Sequence, residues 1–188
     1  MATKGQILDM TPLGMRFTVL KSGADTQGKS LDLHWELLPG CNMKDPLVHV
    51  HPNAIETYDV LEGEMEFFVK DKWLTAKAGE KLSVPRGVAH TFRNPTETPV
   101  TVFNTHQPAL RMENFFEDTC TLLDIVTGNR TRDYKMDFRT MLYMSVLLKN
   151  YREEIVARRP PDFAIRLIGA IAMLAGTRYQ LKQEGGGM

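Results

Sequence analysis

Three histidines and one glutamate are the residues of this sequence best suited to chemistry. His49 and His51 are separated by one residue, Glu56 follows five residues later, and His90 lies farther along the chain. Imidazole nitrogens together with one carboxylate oxygen suit Fe, Ni, Mn, Cu or Zn, and a mixed set of this size can leave coordination positions open on the metal. A substrate can bind and react at such a position. The set therefore predicts a mononuclear metal site with catalytic potential.

Short strands must position the first three of these ligands. Side chains two residues apart in a strand point the same way, so His49 and His51 project from one face. The odd offset from His51 to Glu56 requires a bend, which we place at Pro52-Asn53. From Glu56 the alternation of side chains predicts a strand that turns at Gly63 into a hairpin.

A second segment repeats this logic. Gly79 begins a turn, residues 81–84 form a short strand, and a tight turn at 85–87 delivers His90 at the start of another strand. A β-barrel would bring His90 across to His49 and His51, so distance along the sequence is no obstacle to a shared metal.

These two segments resemble the two signature motifs of the cupin family. The marked positions are Gly40, His49, His51, Glu56 and Gly63 in the first motif, and Gly79, Pro85, Gly87, His90 and Asn94 in the second. Eight residues rather than the usual five separate Gly40 from His49, which predicts an enlarged loop at the barrel mouth. The resemblance implies a small antiparallel barrel that holds one metal through His49, His51, Glu56 and His90.

The fold that we expect is mainly β. A cupin-type antiparallel β-barrel (jelly roll) should occupy residues 1–110, followed by a C-terminal α-helical extension over residues 111–188. After Pro108 the apolar residues recur with a period near 3.6, which predicts helices over 113–127, 136–157 and 162 to about 182.

The third predicted helix is apolar nearly all round between residues 167 and 176 and contains several glycines and alanines. Ten residues are too few to cross a bilayer, which takes about twenty. We expect this helix to pack on the barrel or on a second subunit of a homodimer. The alternative is weak contact with a membrane surface, assisted by Arg158, Arg159, Arg166 and Arg178.

Composition excludes some functions. The chain has 188 residues, and its 23 basic residues balance 23 acidic ones, so no overall charge favours binding to nucleic acid. The polar N-terminus and the two separate cysteines favour a cytoplasmic protein. Cys41 is a weak candidate for an extra ligand, because cysteine is more often a small buried apolar residue.

The other histidines and the pocket complete the expectations. His34 and His106 are expected to be ordinary surface or core histidines. Alternation places Tyr58 and Val60 beside Glu56, and Phe92 beside His90, while Phe67 belongs to one of two sets that could face inward. These four side chains, Tyr58, Val60, Phe92 and Phe67, are the predicted substrate pocket.

An apolar pocket of this kind suits a small organic substrate of modest polarity. The leading hypothesis is an oxygenase-type enzyme, similar to quercetin-dioxygenase-like cupins, in which Glu56 binds the divalent metal or acts as a general base. A non-catalytic small-molecule binding or sensor module is the second hypothesis, and a metal-dependent isomerase or epimerase is the third.

Overall fold

The computed structural model describes residues 2–43, 46–127, 137–159 and 161–174. Two antiparallel sheets face each other. The first sheet contains, in spatial order, β1 (Ile7–Met10), β2 (Met15–Lys21), β3 (Leu31–Leu37), β10 (Val100–Gln107), β5 (Ile55–Glu62) and β8 (Lys81–Val84). The second contains β11 (Val156–Arg159), β4 (Val48–Val50), β9 (His90–Arg93), β6 (Glu64–Val69) and β7 (Lys72–Lys77).

The mainly antiparallel β architecture that the sequence predicted is confirmed, but the barrel is not closed. Within the described ranges, strand pairing does not join the two sheets to each other. The chain instead crosses between them at bends such as Pro52-Asn53, the predicted bend, which separates β4 from β5. The result is a jelly-roll sandwich of two sheets, in which loops close the ends.

Side-chain alternation builds the core between the sheets. On β3 the side chains of Leu33, Trp35 and Leu37 are almost completely buried, whereas His34 is half-buried. The Trp35 ring stacks on Phe17 of β2, with ring centroids 4.2 Å apart. Burial of such large apolar side chains supplies the main driving force for pairing the sheets.

Among the described residues, three α-helices follow β10, and β11 lies between the second and the third. They are α1 (Met112–Thr127), α2 (Phe138–Asn150) and α3 (Asp162–Leu174). Asp137 caps α2 by accepting a hydrogen bond from the Thr140 backbone N–H at 2.8 Å. The prediction for α1 is confirmed to within one residue, and the part of the third predicted helix from residue 175 to 182 lies outside the described residues.

The prediction that the second helix continues to residue 157 is wrong. This helix ends at Asn150, a turn follows, and Val156 and Ala157 pair with Val50 and His49 of β4. The edge of β4 offers backbone N–H and C=O groups for pairing. This pairing stabilises β11 as a strand, although the local periodicity favoured a helix. The C-terminal extension therefore contributes β11 to the sheet that carries two of the candidate ligands.

Helix α3 packs on α2 through a glycine. A Cβ atom added to Gly169 would lie 3.1 Å from the backbone oxygen of Ser145 on α2. The face of α3 formed by Phe163, Leu167 and Ile171 is exposed. No helix among the described residues has the length and apolar character needed to span a membrane.

Candidate metal centre

Four side chains from three strands and one adjoining bend converge in the interior. His49 lies on β4, His51 directly follows this strand, Glu56 lies on β5 and His90 begins β9. One ligand atom from each lies within 4.8 Å of the others, and all four side chains are buried. His49 and His90 are directly opposite each other in the β4–β9 pairing. The structure thus brings together the four residues that the sequence singled out as ligands.

Backbone carbonyls fix the orientation of the three imidazoles. The Nδ1 atom of His49 lies 3.0 Å from the Leu47 oxygen, that of His51 lies 2.7 Å from the Glu154 oxygen, and that of His90 lies 2.9 Å from the Val88 oxygen. A carbonyl oxygen only accepts, so each neutral ring carries its proton on Nδ1 and presents the lone pair of Nε2 to the centre. This orientation is the one that metal-ligating histidines adopt.

The contacts of Nε2 test whether a metal would fit. The Nε2 atoms of His51 and His90 each lie 2.9 Å from the same oxygen of Glu56, Oε2. The approach of His51 Nε2 does not have the geometry of a hydrogen bond, and this buried atom has no hydrogen-bond partner among the described residues. Nitrogen lone pairs that meet a carboxylate oxygen in a buried space are a donor set for a cation, so the residues fit a metal ion.

The pKa shifts of His49 and Glu56 agree with this donor set. Burial, together with His90 and His51, holds the pKa of His49 well below 6.5. Burial alone would raise the pKa of Glu56, but the neighbouring imidazoles of His106 and His51 hold it well below its usual value. For His51, burial is outweighed by the Glu56 carboxylate, which raises the pKa. Neutral His49 and ionised Glu56 are the forms that bind metals.

The second oxygen of Glu56 is held by residues that the sequence analysis missed. The Asn104 side-chain amide donates to Glu56 Oε1 at 2.9 Å, and His106 Nε2 lies 3.3 Å from the same oxygen. Both residues lie on the inner face of β10, where His106 is opposite Glu56. His106 is thus a core histidine, within the expectation, but the sequence analysis did not predict its contact with Glu56. The sequence contained one signal for this role. Asn104 and His106 are polar residues two apart on a strand face that otherwise carries buried valines.

A cavity of about 610 Å³ opens onto this centre. Its polar end contains His49, His51, Glu56 and His106. The remaining wall combines apolar side chains of the sheets and their loops (Met10, Leu13, Met15, Phe17, Trp35, Leu47, Phe92 and Ile155) with those of the three helices (Met112, Phe115, Phe116, Met141, Met144, Leu148, Ile165 and Ile168). The helical extension thus forms one side of the cavity.

The predicted pocket residues are divided between the cavity and the core. Phe92 lines the cavity. Tyr58, Val60 and Phe67 belong to the hydrophobic core, where the Tyr58 ring packs against Phe67 at 4.8 Å and against Trp35 at 5.5 Å. Tyr58 and Val60 do share the inward face of β5 with Glu56, but aromatic rings fill the space between the sheets at that point. Alternation predicts on which face of a strand a side chain lies, but it does not predict whether that face borders a cavity or the packed core.

Cys41 does not join the ligand cluster. Its side chain is buried, and its Sγ atom lies 3.6 Å from the Leu13 carbonyl oxygen, which makes a weak hydrogen bond.

A family model matches part of the chain. Residues 33–106 match the model of the Cupin_2 family, which describes a cupin domain. Among curated proteins, none matches this sequence significantly.

Several solved structures are similar to part of the chain. An RmlC-like cupin from Shewanella frigidimarina is 22% identical, with 58% of this chain and 88% of that chain covered and a TM-score of 0.49. A predicted oxalate decarboxylase from Thermotoga maritima is 24% identical over 50% of this chain and 80% of that chain, with a TM-score of 0.46. The Cupin_2 domain of an XRE family transcriptional regulator from Enterobacter cloacae is 23% identical over 50% of this chain and 96% of that chain, with a TM-score of 0.42.

The family match contains all four candidate ligands and ends at His106. The segment of the chain that matches the cupin model thus also contains the candidate site for one metal ion.

Proposed function

We propose that this protein is a metal-dependent enzyme of the oxygenase type that acts on a small apolar organic molecule. One observation carries the proposal: three imidazoles and the Glu56 carboxylate converge beside a cavity whose polar end is lined by His49, His51, Glu56 and His106 and whose other walls are almost entirely apolar. A binding site with one reactive end and an apolar body is typical of enzymes with small hydrophobic substrates.

The metal would be held by His49, His51, Glu56 and His90. Three nitrogens and one oxygen suit Fe, Ni, Mn, Cu or Zn. When bound, such an ion supplies Lewis-acid chemistry and, for the redox-active metals, electron transfer to dioxygen.

The protein residues bind and orient the substrate and move its proton. Glu56 acts as a general base toward a substrate hydroxyl when it does not serve as the fourth ligand, because both roles use the oxygen that faces the ligand cluster. Asn104 holds the other oxygen at 2.9 Å and so sets the direction of the carboxylate. The apolar walls keep water away from the reacting atoms, which strengthens each electrostatic contact.

The cavity wall favours a neutral substrate. Lysine and arginine side chains are absent from its lining among the described residues, so an anionic group on the part of the substrate away from the metal would find no countercharge there. The hydroxyls of Thr119 and Ser145 already donate to carbonyl oxygens of their own helices, both at 2.7 Å. Flavonols and diketones match this environment better than sugars or sugar phosphates do.

A non-catalytic binding module is the second candidate. Helices α1, α2 and α3 all contribute to the cavity wall, so an occupant would touch the extension as well as the cupin domain. A ligand could then change the helices without reacting.

Metal analysis followed by oxygen-uptake assays tests the proposal. We expect about one metal ion per chain, and oxygen consumption with flavonols or diketones but not with sugar phosphates. Metal without oxygen uptake would favour an isomerase or epimerase. Absence of metal after loading with each of the five candidate ions would refute the enzyme and leave the binding module.

A further inference from the structure

The orientation of one candidate ligand depends on a distant part of the chain. The Nδ1 atoms of His49 and His90 bond to carbonyls only two residues away, at Leu47 and Val88. His51 instead bonds to the Glu154 carbonyl oxygen at 2.7 Å, across 103 residues of sequence. Glu154 lies in the turn between α2 and β11, beyond the part of the chain that matches the cupin family.

An ion pair holds this turn in place. The Glu154 side chain is 3% exposed, and its carboxylate meets the Arg111 guanidinium at 3.0 Å from Nε to Oε1 and at 3.3 Å from Nη2 to Oε2. The same Nη2 atom donates to the Asn150 carbonyl at 3.0 Å, where α2 ends. On the other side of the turn, Val156 pairs with Val50 of β4. The backbone of Glu154 is thus fixed from both directions.

We infer that Arg111 is a positioning residue for the metal site: through Glu154 it holds the carbonyl that orients His51. This inference rests on the proposed metal site. Without Arg111 the buried Glu154 carboxylate loses the guanidinium that compensates its charge, and moving it into water relieves the cost. That movement displaces the Glu154 carbonyl, so the His51 ring loses the bond that fixes its tautomer and direction. Loss of such an outer partner typically weakens metal binding about 10- to 100-fold.

The inference is tested in the full chain with Zn²⁺ as the probe. Arg111→Met removes the charge and retains most of the aliphatic length, and we expect its Zn²⁺ dissociation constant, measured by chelator competition, to rise about 10- to 100-fold. Arg111→Lys retains the charge but cannot bond both carboxylate oxygens in the same way, so it should lie between Arg111→Met and the wild type. Arg152→Met alters an exposed arginine of the same turn and should bind Zn²⁺ like the wild type.

A second measurement does not depend on metal. In the metal-free protein, NMR should detect the His51 Nδ1 proton as slowly exchanging, and Arg111→Met should accelerate its exchange while the Nδ1 protons of His49 and His90 remain protected. Thermal unfolding identifies variants that are folded at the assay temperature. If Arg111→Met does not fold, the inference is tested on Arg111→Lys instead, by its Zn²⁺ dissociation constant and by the exchange rate of its His51 Nδ1 proton.

The outcomes separate this inference from the proposed function. A folded Arg111→Met variant with wild-type Zn²⁺ affinity and wild-type His51 exchange would overturn the positioning role, even if its melting temperature fell. Failure of the wild-type protein to bind any metal would instead overturn the proposed function, while the NMR comparison still reports whether Arg111 orients His51.

Discussion

Replacing Gly169 by alanine should destabilise the protein, although alanine is the better helix former. An added Cβ would lie 3.1 Å from the Ser145 carbonyl oxygen and 3.3 Å from its carbonyl carbon. These are backbone atoms of α2, which cannot rotate away as a side chain can. Helices α2 and α3 must therefore separate by a few tenths of an ångström.

Two opposing effects set the magnitude. Overpacking of a tight contact costs about 1–3 kcal/mol, while alanine in place of glycine stabilises a helix interior by about 1 kcal/mol. The expected net change is a loss of up to about 2 kcal/mol of unfolding free energy. A larger residue in Gly169→Leu should lose more.

Position 171 of the same helix supplies the control. Ile171 is 55% exposed, so comparing Ile171→Ala with Ile171→Gly measures helix propensity on α3 with little packing contribution. Urea unfolding should rank alanine above glycine at position 171 and below it at position 169. An equal gain from alanine at both positions would refute the close approach of α2 and α3.

Three further predictions concern the metal centre. His51→Ala should weaken metal binding more than about 100-fold, beyond the loss of an outer partner, and metal analysis should find the control His34→Ala fully loaded; equal metal content in the two variants would contradict the ligand assignment. Glu56→Gln should retain metal but lose oxygen uptake, because an amide cannot accept the substrate proton; turnover close to that of the wild type would exclude Glu56 as the base. Burial, together with His51 and His90, lowers the pKa of His106 from 6.5 to about 4 despite Glu56. As the pH falls, the unfolded chain therefore takes up a proton at His106 at a higher pH than the folded protein does. The free energy of unfolding of the metal-free protein should then fall by up to about 3 kcal/mol between pH 6.5 and 4. Urea unfolding at several pH values measures this, and a pH dependence identical to that of His106→Gln would contradict it.

The ligands of the centre could be predicted because their placement is local. One residue separates His49 from His51, which fixes their shared direction in any strand, and short turns fix the start of the strand at His90. The bend at Pro52-Asn53 follows from the odd offset to Glu56. None of these inferences needs the partner of any strand.

The residues that the sequence analysis missed depend on long-range pairing. Asn104 and His106 reach Glu56 because β10 pairs with β5 in one particular register. The residues next to them in the sequence do not predict that register. The second predicted helix includes residues 156 and 157, the first half of β11, for a similar reason. Four residues carry too little periodicity to outweigh the helix before them, and only the open edge of β4 makes them a strand.

The late strand β11 has a consequence for how the molecule forms. It reaches the edge of β4 from more than a hundred residues along the chain, so this pairing closes a very long loop. Contacts with such large sequence separation slow folding, because the chain loses entropy before the contact repays it. During synthesis on the ribosome, the strand that carries His49 cannot complete its pairing at this edge until residues 156–159 have emerged. The candidate metal centre therefore gains its neighbouring edge strand more than a hundred residues after the chain has supplied His49.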